Sequence, residues 1–166
     1  MFHFLKKYTF LLVILVAFFS VAGCIKPEEY SPVPRIVSIQ PSKTIIRNVT
    51  DTLYFLIEFE DSGADLGVIE LDSQPGLFLY DARTDYIDSL LIPQIEDRGV
   101  TTSIKGQILA RIPTQCCIPI SGIPCTPNAD YPLLDSLHFL VKLKDRSDNE
   151  SEWVPAPLVL IDCYSF

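Results

Sequence analysis

Hydrophobic residues in this chain recur at every second position, and this period of two constrains the fold more than any other feature. The alternation is clearest at Leu53, Phe55, Ile57 and Phe59, at Ile104, Gly106, Ile108 and Ala110, and at Leu137, Phe139, Val141 and Leu143. A period of two places successive side chains on opposite faces of a β-strand, so each segment has one face turned to a core. We therefore expect an all-β protein.

Weaker strand patterns occupy residues 35–40, 67–72, 76–81, 86–92 and 154–162. The segments are separated by turn-forming residues and by prolines, which make up about 9% of the chain after residue 23, against an average near 5%. Seven or eight short strands with such turns are typical of an antiparallel β-sandwich. The length favours a single domain, which we expect to span residues 35–166.

The first 23 residues have the organisation of a lipoprotein signal peptide. Lys6 and Lys7 form a positive region, and residues 8–21 form an apolar run that is shorter than the roughly 20 residues of a spanning helix. The sequence Val21-Ala22-Gly23-Cys24 then resembles the bacterial lipobox, in which the leader is cut before a cysteine that carries diacylglycerol. The resemblance implies lipidation at Cys24. The alternative is an uncleaved membrane anchor with a chance cysteine.

A proline-rich tether follows over residues 24–34, with Glu28 and Glu29 near its start. Acidic residues just after the acylated cysteine resemble the surface-export signal of Bacteroidota-type lipoproteins, although an ordinary polar linker explains them too. We expect a lipoprotein of the outer membrane, and both the cell surface and the periplasmic face stay open.

Two turns extend the resemblance into the folded domain. One reads Asp61-Ser62-Gly63-Ala64-Asp65-Leu66-Gly67, and the other reads Asp145-Arg146-Ser147-Asp148-Asn149-Glu150-Ser151. They are similar to turns of uncharacterised Bacteroidota-type lipoproteins with an immunoglobulin-like domain, so the resemblance implies an immunoglobulin-like or fibronectin-III-like sandwich and no catalytic activity. In that strand order, the two turns follow the second and sixth strands and emerge at the same end.

The acidic residues of these turns are candidate calcium ligands: Asp61, Asp65, Asp145, Asp148 and Glu150. Calcium takes six to eight oxygen ligands, which carboxylates from two converging turns supply. The alternating aspartates of a calcium-binding loop are absent, however, and the same residue types cap backbone N–H groups in ordinary turns. Both interpretations stay open, and we expect no other cofactor.

Four cysteines remain after Cys24, namely Cys116, Cys117, Cys125 and Cys163. An even number of cysteines in an exported protein indicates disulfides. Adjacent cysteines in an extended chain point apart, which disfavours a shared zinc ion. We expect either Cys116 or Cys117 to pair with Cys125, and the other to pair with Cys163.

The charge balance excludes one class of function. Without the leader, 11 basic side chains face 21 acidic ones, a net charge of −10. Such an acidic chain lacks the basic face that nucleic-acid binding requires. His138 is the only histidine after the leader, so a multi-histidine metal site is excluded, and the motifs of common hydrolases and phosphate loops are absent.

These observations predict a lipid-anchored, non-enzymatic binding or accessory module with a protein or glycan partner. Tyr54, Tyr80 and Trp153 are candidates for stacking on such a partner. A structural subunit of an envelope assembly and a small hydrolase are the alternatives. Carboxylate pairs that suit glycoside chemistry lie in predicted turns: Asp85 with Asp88, and Glu96 with Asp97.

Overall fold

The computed structural model describes residues 32–67, 74, 76–93, 95, 103–113, 115–120, 122, 123, 125 and 130–164. In this part of the chain there are ten strands and no helix. The strands are β1 (Arg35–Pro41), β2 (Ile45–Arg47), β3 (Leu53–Asp61), β4 (Leu77–Asp81), β5 (Tyr86–Leu90), β6 (Ile104–Ile112), β7 (Leu134–Leu137), β8 (Phe139–Leu143), β9 (Val154–Pro155) and β10 (Val159–Asp162). The predicted leader, and most of the predicted strand 67–72, lie outside the described residues.

The strands form two layers, as predicted for a β-sandwich. One layer is an antiparallel sheet in the order β1-β3-β6, and the other contains the sheet β5-β4-β8-β9. Only His138 separates β7 from β8, and β9 and β10 follow each other closely, so the third sheet, β2-β10-β7, continues the second layer. With each interrupted strand counted once, the described ranges contain eight strands, and the predicted all-β class is confirmed.

The core lies between the layers, where the alternating residues predicted to be buried meet. Phe55, Ile57, Val141 and Leu143 have no exposed surface. Phe55 of β3 packs edge-on against Phe139 of β8, with ring centroids 5.9 Å apart, so the contact joins the two layers. Burying a side chain of this size stabilises the fold by roughly 1.5–3 kcal/mol.

Two features of the sheets differ from the prediction. The pairing of β2 with β10 is parallel, whereas we expected a wholly antiparallel sandwich. Three residues are too few to show a period, which is why the pattern missed β2. The predicted strand 154–162 is interrupted after Pro155, and Pro157 lies in the gap because proline has no N–H to donate to a sheet.

The two ends of the sandwich differ in chemistry. We call the end that carries loops 61–67 and 144–151 the acidic end. The opposite end carries the turn 82–85 and the described residues between β6 and β7, and we call it the disulfide end. The chain enters the domain at the acidic end, because Arg35 pairs with Glu60 near the end of β3.

Gly106 is required for packing between β3 and β6. It lies opposite Phe59, and a Cβ at this position would lie 2.8 Å from two carbon atoms of the Phe59 ring. Phe59 is buried, so its ring has little room to move. We expect Gly106→Ala to lower the free energy of unfolding by roughly 1–3 kcal/mol in a urea titration, as overpacking does. The exposed neighbour Leu109→Ala is the control, and an equal loss in both variants would contradict this explanation.

Candidate functional site

Three of the five predicted calcium ligands meet at the acidic end. Asp61, Asp65 and Asp145 each place one carboxylate oxygen within 4.8 Å of the oxygens of the other two. Asp61 and Asp145 are buried, and Asp65 is half-buried. We call these three residues the carboxylate cluster. It joins residues that are 84 positions apart in the chain, because the loops after β3 and β8 emerge side by side.

Asp61 organises the first loop. Its Oδ1 atom accepts the N–H of Gly63 at 3.0 Å, and its Oδ2 atom accepts the N–H groups of Asp65 and Leu66, each at 3.2 Å. Burial raises the pKa of Asp61 above its ordinary value, although the hydrogen bond from Gly63 lowers it, and the Asp65 carboxylate raises it further. The Asp61 carboxylate therefore holds the turn together through three backbone hydrogen bonds, although burial and the neighbouring Asp65 charge disfavour its ionised form.

Asp145 has the same role in the second loop. Its Oδ1 atom accepts the N–H of Asn149 at 2.8 Å, and its Oδ2 atom accepts the side-chain amide of Asn149 at 2.9 Å. The two loops are also joined directly, since Ser147 Oγ donates to Asp65 Oδ2 at 2.6 Å and Arg146 Nη1 donates to the carbonyl of Gly67 at 3.0 Å. These bonds hold the cluster in one arrangement.

The other two predicted ligands lie apart from the cluster. Asp148 pairs with Lys144 at 2.8 Å and its side chain is 79% exposed, while Glu150 pairs with Lys142 at 2.6 Å. The bond to Asp148 raises the pKa of Lys144, and the bond from Lys142 lowers the pKa of Glu150. The five-ligand set predicted from the sequence is therefore reduced to three, because residues in a turn point in several directions.

Negative charge in the cluster is only partly balanced, because Lys144 interacts electrostatically with Asp145 without forming an ion pair with it. Among the described residues, no lysine or arginine forms an ion pair with Asp61, Asp65 or Asp145. At 4.8 Å, the upper limit of the separations between these oxygens, two unit charges repel by roughly 3.5 kcal/mol at an effective dielectric constant near 20. The cluster therefore tends to push the two loops apart.

The four cysteines form two disulfides, as predicted. Cys116 pairs with Cys125, and Cys117 pairs with Cys163. The structure thereby decides which of the adjacent cysteines has which partner. The Cys117–Cys163 bridge is buried and ties the loop after β6 to the end of β10, whereas Cys116–Cys125 closes a short loop near the surface.

Arg83 forms a polar network at the disulfide end that the sequence analysis missed. All five of its guanidinium N–H groups have protein acceptors. The acceptors are both carboxylate oxygens of Asp81, Oδ2 of Asp135, Oε1 of Gln115 and the carbonyl of Cys116. The network joins the β4–β5 turn to Cys116 and Asp135, which lie 33 and 52 positions further along the chain. A local sequence pattern cannot predict contacts over such distances.

A cleft of about 440 Å³ lies beside this network. Leu79 and Phe139 are buried at its base, Tyr86 is 64% exposed at its rim, and the Cys116–Cys125 bridge lies along its wall. Sites for small ligands have volumes of roughly 300–1,000 Å³ and mostly apolar linings with a few polar groups. The cleft is therefore large enough for a small molecule or for a side chain of a partner protein.

The other predicted candidates are dispersed. His138 is exposed, as expected, and its Nε2 atom lies 3.2 Å from Ser136 Oγ. A serine nucleophile needs a histidine base that is oriented by a third group, usually a carboxylate. Within the described residues no carboxylate bonds to the His138 imidazole, so Ser136 and His138 lack this third group. Tyr80 donates to Asp85 at 2.5 Å, which raises the pKa of Tyr80. Glu96 and Asp97 lie outside the described residues.

The aromatic residues that were predicted to stack on a partner lie on the outer faces of the sheets. Trp153 and Tyr80 have ring centroids 6.2 Å apart on the outer face of the second layer, and Lys142 Nζ lies 4.8 Å from the Trp153 ring centre. Trp153, Tyr80 and Tyr54 are all half-buried. The lysine covers part of the ring surface that a ligand would use.

No helix in the described ranges is long and apolar enough to cross a membrane. No protein-family model, curated protein or solved structure matches the chain.

Proposed function

We propose that this protein is a lipid-anchored protein of the outer membrane that acts as a non-enzymatic binding or accessory module. In this proposal Cys24 carries the lipid, and the disulfide end binds a protein or glycan partner. The observation that carries the proposal is the position of the cleft, which lies at the end opposite to the point where the chain enters the domain.

The entry point supports this orientation. Asn149 in the acidic end donates to the carbonyl of Pro32 at 3.5 Å, and Arg35 begins β1 there. Cys24 and Pro32 are eight positions apart, and an extended chain of that length reaches about 26–29 Å. Strand β3 alone spans nine residues, or about 30 Å. A lipid at Cys24 therefore places the acidic end nearest the membrane and leaves the disulfide end accessible.

Exposed hydrophobic side chains support a binding role for the disulfide end. Ile120 is 80% exposed, Leu133 is 77% exposed, and Ile123 and Tyr164 are also exposed. Grouped apolar side chains on a soluble domain commonly mark interaction sites. The Arg83 network favours binding over catalysis, because this buried cation already has a protein acceptor for every N–H group and is not available to a reacting substrate.

Lipidation and exposure are tested together in cells. We expect the wild-type protein to fractionate with the outer membrane and to carry a lipid mass on Cys24, whereas Cys24→Ser releases the protein from the membrane. Protease added to intact cells degrades the protein if the domain lies on the cell surface and spares it if the domain is periplasmic. A Cys24→Ser variant that remains in the membrane fraction would contradict the anchor.

Binding at the cleft is tested with a photo-crosslinking amino acid at Tyr86 in intact cells. We expect a discrete adduct from Tyr86, at the rim of the cleft, and none from Tyr54, on the outer face of the other layer. Adducts of equal yield at both positions, or at neither, would contradict the proposed surface. An adduct that contains a stoichiometric envelope subunit would identify the protein as part of an assembly.

A further inference from the structure

The carboxylate cluster of Asp61, Asp65 and Asp145 has a feature that its role in the turns does not explain. The Oδ1 atom of Asp65 is completely enclosed by protein and has no hydrogen-bond partner. Nearly all buried polar atoms in proteins have a partner, so an enclosed carboxylate oxygen without one requires an explanation. In an aspartate whose only role is to form a turn, this oxygen would instead accept a hydrogen bond from a backbone N–H group or from water.

The unpartnered oxygen lies close to the Asp61 carboxylate. A Cβ at Gly63 would lie 2.5 Å from Asp65 Oδ1 and 3.4 Å from Asp61 Oδ1, so both oxygens border the space above this glycine. Asp145 completes the group from the second loop, with one carboxylate oxygen within 4.8 Å of an oxygen of Asp61 and of an oxygen of Asp65. Three carboxylates from two loops thus converge on one point, and one of their oxygens has no protein donor.

We propose that Asp61, Asp65 and Asp145 bind a calcium ion that ties the loop after β3 to the loop after β8. Calcium prefers carboxylate oxygens, accepts irregular geometry and completes its coordination with water. The ion would supply the missing partner of Asp65 Oδ1 and would neutralise the repulsion among the three side chains. The site is independent of the lipid anchor and of the proposed binding surface.

The test compares Asp65 and Asp148, which the sequence analysis predicted equally as calcium ligands. Asp65→Asn keeps an oxygen that accepts from Ser147 but removes a charged ligand, whereas Asp148→Asn is the matched control outside the cluster. Asp61 is unsuitable because its carboxylate holds three backbone N–H groups, and its loss is expected to disturb folding by itself. The full-length protein is used in detergent, with melting temperature measured in EGTA and in added calcium.

We expect calcium to raise the melting temperature of the wild type and of Asp148→Asn in a concentration-dependent manner, and calorimetry to show a single site. Asp65→Asn should bind calcium at least tenfold more weakly, and its melting temperature in EGTA should equal or exceed that of the wild type because the repulsion is reduced. This second readout shows that the variant is folded. Gly63→Ala, whose Cβ would occupy the space beside Asp65 Oδ1, should weaken calcium binding in the same way.

Two results would overturn the proposal. One is a wild-type melting temperature that does not respond to calcium up to about 10 mM, which exceeds the dissociation constants of weak extracellular calcium modules. The other is an equal loss of calcium response in Asp65→Asn and Asp148→Asn, which would indicate nonspecific binding to an acidic surface. Magnesium at the same concentration is the selectivity control, and an equal response to magnesium would overturn the assignment to calcium.

Discussion

Replacing Cys117 and Cys163 together with alanine is expected to lower the free energy of unfolding by roughly 4 kcal/mol, one of the two largest effects predicted for this protein. The bridge closes a loop of 46 positions, so its loss restores much conformational freedom to the unfolded chain. Both cysteines are also buried. Urea unfolding of the oxidised full-length protein measures the change.

The second bridge is the matched control. Cys116 and Cys125 are only nine positions apart, so the same entropy argument gives a loss of roughly 2.5 kcal/mol for the double alanine variant. Removing both cysteines of a pair prevents exchange with the remaining bridge, which mass spectrometry after alkylation verifies. A larger loss for the Cys116–Cys125 pair would show that loop closure does not govern the difference.

Replacing Arg83 with methionine is expected to cost about 3–5 kcal/mol, because the change leaves carboxylates in a low-dielectric environment without their partner. The Arg83 side chain is only 9% exposed and pairs with Asp81 at 2.7 Å and with Asp135 at 2.8 Å. Asp81 is buried, so water cannot replace the lost charge efficiently. The measurement is again urea unfolding, with the expressed protein checked for both disulfides.

Arg35→Met provides the comparison for this prediction. Arg35 also pairs with a carboxylate, that of Glu60, but its side chain is 67% exposed. Exposed ion pairs contribute about 0–1 kcal/mol, so this variant is expected to remain close to the wild type. A similar loss in both variants would mean that burial does not determine the strength of the Arg83 network. Arg83→Lys should be intermediate, because an ammonium group keeps the charge but has fewer donors.

The strands could be predicted because their signal is local. Alternation along residues 53–59 and 137–143 follows from the covalent geometry of an extended chain, and the structure buries the predicted face in both segments. Hydrophobic burial then requires a second layer, which yields the sandwich. The loops that carry Asp61 and Asp145 could be placed at one end for the same reason, since strand order determines where each loop emerges.

The candidate site could be predicted only in part. The sequence indicated five acidic ligands, and the structure brings together Asp61, Asp65 and Asp145 while Asp148 and Glu150 bind lysines. Turn residues have no fixed period, so the direction of each side chain depends on backbone angles that a residue type does not specify. The enclosed oxygen of Asp65 became visible only from the atoms around it.

The all-β class, the buried faces of the long strands and the presence of two disulfides could be inferred from the amino-acid sequence. Each follows from residue type or from a period of a few residues. The cysteine pairing, the parallel contact of β2 with β10, the Arg83 network and the membership of the carboxylate cluster became known only from the three-dimensional arrangement of the strands and loops. These features join residues up to 115 positions apart, and they form because packing of the two layers brings those residues together.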